Sequence, residues 1–237
     1  MDVLVRQALK QMLVKIADMQ QWESNVIGTF KKSLRHYDSD SVYTEAVNFF
    51  DQAATDELLS AITELEEFDI NTSYRFKSEQ SFQFKWNKES NTGRPLKKVA
   101  NDLVGIRLII NVEKLPMEKL IQIMKELEDK VQIINFYENP KSEDDGYRGV
   151  HFYLQKTTKT FPVEIQVWDY KAALLNFYAH EVIYKNIEAG INERQYALAV
   201  QQALAAFPQK PENIDLSFVD YVFEVLYKHM KGEEDDE

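Results

Sequence analysis

The chain has 237 residues, 44% of them hydrophobic, with 14 Phe, 12 Tyr and 3 Trp. That is enough apolar matter to bury a sizeable core in one compact domain, and it excludes a disordered acidic segment. A net charge of −11, from 28 Lys and Arg against 39 Asp and Glu, argues against wholesale coating of nucleic acid or anionic membrane. The absence of cysteine removes disulfides, thiolate nucleophiles, iron–sulfur clusters and cysteine zinc sites together.

Charges at Asp2, Arg6 and Lys10 interrupt the N-terminus, which therefore reads as neither a signal peptide nor a membrane span, and a cytoplasmic protein is expected. Over residues 3–19, Leu4, Ala8, Leu9, Met12, Leu13 and Ile16 recur at three- and four-residue spacings and predict an amphipathic helix. A second helix is expected over 23–34. A third opens after the capping candidates 38–41 and carries Val42, Ala46, Phe49, Phe50, Leu58, Leu59, Ile62 and Leu65. Residues 71–98 then turn polar and basic: seven cations (Arg75, Lys77, Lys85, Lys88, Arg94, Lys97, Lys98) against Glu79 and Glu89 leave +5. The apolar run 103–112, rich in Ile and Val, predicts a central strand, and 117–130 a helix. Further strands are expected at 131–137, 150–155 and 161–168, between turn signals at Asn139-Pro140, Gly146 and 156–160. The last third returns to helix at 170–187, 193–207 and 215–230 before an acidic tail. This order implies an α+β (mixed α/β) fold with helices packed on a sheet. Its segments are a helical stretch 1–70, a core 71–190 and C-terminal helices 191–237.

Period two in the strand 161–168 puts Phe161, Val163, Ile165 and Val167 on a core face and Glu164, Gln166 and Trp168 on the other. In the strand at 103–112, Arg107 points away from Ile106, Leu108 and Ile110, and Asp102 stands just before the run. Two carboxylates at neighbouring strand ends could hold a magnesium ion whose octahedron phosphate oxygens complete. The simpler alternative is an Asp/Glu pair neutralised by Arg107 or Lys85. Arg75, Lys77, Ser81 and Lys85 suit a polyphosphate, with Ser81 and Lys85 one turn apart if a helix begins near Ser78; the alternative is a solvated charged face.

These residues resemble the RelA/SpoT-type alarmone synthetases, and in size their small single-domain members. The resemblance runs from about 74 to 185 through Arg75-x-Lys77-x3-Ser81-x3-Lys85, Asp102-x2-Gly105-Ile106-Arg107, Asn139-Pro140-Lys141 leading to Gly146-Tyr147-Arg148-x2-His151, Glu164-Ile165-Gln166-Val167, and His180-x3-Tyr184-Lys185. It implies a nucleotidyltransferase-like mixed sheet flanked by N- and C-terminal helices. It also implies transfer of the β,γ-pyrophosphate of ATP to the 3′-hydroxyl of GDP or GTP, releasing AMP. By the same resemblance Arg75 and Arg107 sandwich the adenine, while Lys77, Ser81 and Lys85 hold the ATP phosphates. Asp102 and Glu164 are the catalytic carboxylates and carry Mg2+, Glu164 also helping to deprotonate the acceptor. Tyr147 stacks the acceptor base, and His151 and Gln166 line the acceptor site. For His151 a buried structural role is the other reading. Sheet packing explains His180 and Tyr184 as well as substrate contact does.

The chain departs from the family pattern where Trp168-Asp169 replaces Arg-Thr after the Glu164 motif, at Ala173 and Ala179, and at Gly149. Two alternatives follow: a toxin-type relative that pyrophosphorylates tRNA 3′ ends or adenosine nucleotides, and a catalytically silent nucleotide-binding module. Lys31, Lys32 and Arg35 with residues 94–98 could approach a tRNA. No His-Asp dipeptide occurs, so synthesis without hydrolysis is expected. The apolar face over 215–230 suggests a homo-oligomer.

Overall fold

The structure, a computed structural model, describes residues 2–53, 55–140, 146–178 and 198. The predicted helices at 193–207 and 215–230, the tail, residue Lys141 and the motif residues His180, Tyr184 and Lys185 lie outside them. By contacts the chain divides into two compact units, Met1–Glu143 with Arg148–Ala173, and Asp144–Tyr147 with Leu174–Glu237. All described strands belong to the first.

Helix α1 (Asp2–Met19) buries Val5, Ala8, Leu9, Met12, Leu13, Ile16 and Met19, the stripe its spacing predicts, while Leu4 is exposed. The expected helix at 23–34 does not form. Ser24 Oγ accepts from the amides of Val26 and Ile27, an alternative to helical pairing that short hydroxyl side chains offer, and β-branched residues with Gly28 lower the propensity further. The backbone bonds outward instead: Ser24 and Phe30 donate to the carbonyls of Lys159 and Thr158, and Leu34 donates to that of Arg94. Only a 3₁₀ turn, Leu34–His36, remains.

The single long helix expected after residue 41 is two. Helix α2 (Ser39–Ala53) stops before Thr55, whose hydroxyl accepts from the Leu58 amide and caps α3 (Asp56–Thr63). The cap satisfies one orphan donor, and Asp56 and Glu57 in the first turn suit the positive end of the helix dipole. A 3₁₀ turn, Glu64–Phe68, ends at Asp69 with φ 59°, a left-handed conformation that Asp tolerates.

Strand β1 (Asn71–Phe76) follows, then α4 (Glu79–Trp86), capped by Ser78, and the short α5 (Leu96–Val99). Next come β2 (Val104–Ile110), α6 (Met117–Leu127), β3 (Gln132–Asn135), β4 (Val150–Leu154), β5 (Val163–Asp169) and α7 (Tyr170–Tyr178). The strands form one mixed sheet in the order β1-β2-β5-β4-β3, parallel at β2–β5 and antiparallel elsewhere. The fold is α+β, as the element order implies.

On one sheet face Ile106, Leu108, Ile110, Val150, Phe152, Leu154, Val163, Ile165 and Val167 enter the core with the stripe of α1. Phe161, just before β5, is fully buried and packs against Trp22, Phe30 and Phe49, with centroids 6.2, 4.9 and 5.3 Å away. The opposite face is polar yet also covered: Glu164 and Trp168 are buried as deeply as the core face of β5. Among the described residues no helix is long and apolar enough to cross a membrane.

Candidate active site on the polar sheet face

Register assembles the site. Residues directly opposite each other on paired strands point to the same face, so the pairings Arg75↔Gly105, Gly105↔Glu164 and Glu164↔Tyr153 lay one row across four strands. The next row is Ser73, Arg107, Gln166 and His151. The sequence-predicted Arg75, Arg107, Glu164, Gln166 and His151 are thereby neighbours on one face. Gly105 has no side chain to fill its place in the first row, and the Arg75 side chain lies across it: a Cβ there would sit 3.4 Å from Arg75 Nε.

Buried polar groups on this face are joined to one another. Arg107 donates from Nη2 to Gln166 Oε1 at 3.2 Å, Gln166 Nε2 donates to Glu164 Oε2 at 2.8 Å, and His151 Nδ1 lies 2.9 Å from Glu164 Oε1. The Tyr153 hydroxyl is 3.2 Å from the same His151 nitrogen. Burial works against the Glu164 carboxylate and the Asp102 charge also pushes its pKa up, but the hydrogen bond and charge of His151 prevail and hold it below the ordinary glutamate value. Glu164 is therefore ionised at neutral pH, and His151, itself buried, is a hydrogen-bond partner of the carboxylate.

Asp102 precedes β2 and meets both lysines of the basic stretch. Lys77 Nζ donates to Oδ2 at 2.8 Å, and Lys85 Nζ to Oδ1 at 3.0 Å and to Asn101 Oδ1 at 2.8 Å. Lys77 is placed by the end of β1, its amide bonding the Leu103 carbonyl, and Lys85 by the last turn of α4. Burial alone would raise the Asp102 pKa, yet the charges and hydrogen bonds of Lys85 and Lys77 bring it down to about 2. Burial and the nearby Lys77 charge in turn push the Lys85 ammonium below its usual value, against the pull of Asp102. Ser81 sits in the first turn of α4, four residues before Lys85, and its hydroxyl accepts from Ser78.

A depressed folded-state pKa stabilises the fold at pH values above the unfolded value and ceases to do so as pH falls through the folded one. For Asp102 that window runs from the ordinary aspartate value of 3.8 down to about 2. Between pH 5 and 2, wild-type unfolding free energy is expected to fall by about 2 kcal/mol more than that of Asp102→Asn, read from urea midpoints at each pH. Parallel curves would show that Asp102 titrates normally.

Trp168, which period two along the strand places on the face of Glu164 and Gln166, does more than fill that face. Buried, it lies beneath the Arg107 guanidinium, 3.9 Å from guanidinium carbon to ring centroid. Guanidinium stacking of this kind fixes the plane of the charge, so the replacement of Arg-Thr by Trp168-Asp169 puts an aromatic platform under a site arginine. Tyr153 and Asn101 were missed. The first could have been found by stepping two residues along β4 from His151; the second adjoins Asp102 with no pattern of its own. Gly146 adopts φ 80°, the left-handed turn that glycine favours, and Tyr147 belongs to the second unit.

Asp102 and Glu164 are two ionised hard-oxygen donors close enough for the charge of one to act on the other. Among the described residues no group of three or more His, Asp or Glu is arranged to hold a metal ion. The pair fits a cation that takes most of its ligands from elsewhere.

Comparison with known proteins bears on this arrangement. No curated protein matches the chain. Among solved structures, it resembles the small alarmone synthetase 1 of Bacillus subtilis bound to its product pppGpp, at 20% identity and TM-score 0.51 over 77% of this chain and 99% of that one. The small alarmone synthetase 2 of Bacillus subtilis is similar at 18% identity and TM-score 0.50, over 79% and 99%. At these identities the likeness is one of fold. A family model described as "Region found in RelA / SpoT proteins" matches residues 74–189, the stretch that holds both carboxylates, the lysine pair and the stacked arginine. Residues 74–189 are thus the part of the chain that is similar to the RelA/SpoT proteins.

Proposed function

We propose that the protein is an ATP-dependent pyrophosphokinase that transfers the β,γ-pyrophosphate of ATP to the 3′-hydroxyl of GDP or GTP and releases AMP. The observation that carries this reading is the convergence of Asp102, Glu164, Lys77, Lys85, Arg75 and Arg107 at one polar sheet face inside the RelA/SpoT region. A structure of similar fold is described as bound to its product pppGpp, in keeping with a guanosine acceptor.

In the proposed reaction the acceptor 3′-oxygen forms a bond to the β-phosphorus of ATP while the bond from that phosphorus to the α,β-bridging oxygen breaks, and AMP departs with the bridging oxygen. The proton of the 3′-hydroxyl passes to the ionised carboxylate of Glu164, held in position by His151 and Gln166. Arg107, flat on Trp168, and Arg75 offer planar cations to the adenine. Lys77 and Lys85, which pair with Asp102, are within reach to meet phosphate oxygens. Ser81, at the first turn of α4, is the further donor assigned to the phosphates. Asp102 and Glu164 would hold Mg2+, which supplies charge neutralisation of the transferring group. Positioning and electrostatics suffice, and no covalent nucleophile is needed. The place of Tyr147 as the stacking platform for the acceptor base rests on the Gly146-Tyr147-Arg148 motif.

A second reading, tRNA as acceptor, gains one observation. The segment with Lys31, Lys32 and Arg35 bonds by its backbone to the one with Arg94 and Lys97, through Leu96 to the Lys32 carbonyl and Lys97 to the Phe30 carbonyl. Two basic clusters far apart in sequence are therefore adjacent. Incubation with labelled ATP, Mg2+ and GDP, GTP, ATP or tRNA separates the readings. Label in a guanosine nucleotide with stoichiometric AMP is the expected result; label on tRNA or an adenosine nucleotide supports the alternative acceptor, and no AMP with any of them supports a silent binding module.

A further inference from the structure

A cavity of about 220 Å3 opens beside the polar face, lined by Lys97, Lys98 and Lys130 together with Asn101, Gln132 and Tyr153. Among the described residues no carboxylate lines it. The three lysines come from two separate places, α5 and the turn after α6, yet converge on one concavity. None of them forms an ion pair with a described residue, whereas Lys77, Lys85, Lys114, Lys159 and Lys171 each do. Lys97 is half-buried and Lys98 and Lys130 are exposed, so three ammonium groups without a carboxylate partner among the described residues surround one solvent-open hollow and favour an anion there.

The position of the cavity identifies the anion. Tyr153 faces Glu164 across the β4–β5 pairing, and Gln132 faces Tyr153 across β3–β4. Asn101 accepts from Lys85, which also bonds Asp102. The cavity therefore shares walls with the partners of both carboxylates. In the sheet order β1-β2-β5-β4-β3, the arginines that face the adenine under the reading above stand on β1 and β2, Glu164 stands in the centre, and the cavity lies beyond it at β4 and β3. Two strand spacings, about 10 Å, separate β5 from β3, a span that a ribose with its 5′-phosphates covers.

Resting on the proposed pyrophosphokinase reading, we infer that this cavity binds the 5′-polyphosphate of the acceptor nucleotide, with Lys97, Lys98 and Lys130 as the residues that make acceptor use depend on phosphate number. A di- or triphosphate concentrates several negative charges within a few ångströms, matching three compact ammonium charges around one hollow. An RNA strand offers one charge per nucleotide along an extended backbone, a poorer match to three ammonium groups gathered at one hollow.

The test compares wild type with Lys97→Ala/Lys98→Ala/Lys130→Ala. GTP, GDP, GMP and guanosine serve as acceptors in AMP-release kinetics, and GDP and guanosine are titrated calorimetrically. Wild type is expected to show KM rising from GTP to GDP to GMP. The triple variant should raise the KM for GTP and GDP at least tenfold, with guanosine little affected and the KM for ATP within twofold. An unchanged KM for GDP, equal losses for guanosine and GTP, or a wild-type preference for tRNA over every free nucleotide would overturn the inference. If wild type releases no AMP with any acceptor, the pyrophosphokinase reading fails by itself. GDP titration then decides the cavity separately: tenfold weaker binding in the variant upholds a polyphosphate site, and equal binding removes it.

Discussion

Glu164→Gln is expected to lower AMP formation from ATP and GDP by about 10²- to 10⁴-fold, the range associated with loss of a positioned general base, while circular dichroism and the urea midpoint stay near wild type. The substitution keeps the shape and one hydrogen-bond acceptor but removes the charge, so the Gln166 and His151 contacts at 2.8 and 2.9 Å can persist in altered form without a cavity. The charge is what the proposal requires, both to receive the proton and to hold Mg2+. Asp102→Asn is the companion. It removes the counter-charge of Lys77 and Lys85 and should cost a similar factor. Dependence on Mg2+ concentration separates the two roles: if Asp102 serves the ion chiefly, raised Mg2+ partly rescues Asp102→Asn and leaves Glu164→Gln nearly inactive. Wild-type turnover in either variant would end the assignment of that residue.

Phe161→Ala is expected to destabilise the first unit by about 3–5 kcal/mol, the usual cost of truncating a buried aromatic. The ring is fully buried and contacts Trp22 and Phe30 of the connection after α1 and Phe49 of α2, so no single neighbour can move in to fill the space. It also lies just before β5, and a collapse there would disturb the register that places Glu164. Urea denaturation followed by Trp fluorescence measures the loss, with Trp22 as a reporter beside the lesion. A change under 1 kcal/mol would mean that the surrounding aromatics close over the gap.

Where hydrophobic pattern and burial agree, the sequence was legible. The stripe of α1, the apolar run of β2 and the alternation along β5 all have the spacing that their surroundings demand. Strand β1 escaped because Ser73 and Arg75 fill the positions that point to the polar face, and a strand with a functional face reads as a charged stretch. The helix expected at 23–34 failed for the opposite reason: Ile27, Phe30 and Leu34 are buried, but by a connection whose amides bond to residues 94 and 158–159, a pairing that local periodicity does not encode. The candidate site was legible as a set of motifs, since residue type and spacing are local. The relay from Arg107 through Gln166 to Glu164, the Tyr153 contact and the Trp168 platform depend on which strands are neighbours, and only the sheet order reveals that.

The parallel pairing of β2 with β5 joins segments about sixty residues apart in the chain, with α6, β3 and β4 intervening. Such a contact closes a long loop before any reward arrives, which makes it a late and slow event in folding. The two carboxylates become neighbours only through that event. A nascent chain that has not yet emerged past residue 169 can hold Asp102 with its lysines but has no second carboxylate beside it. The juxtaposition of the two carboxylates therefore arises in a single step, with completion of the sheet, and a partly folded chain has no weakened version of it.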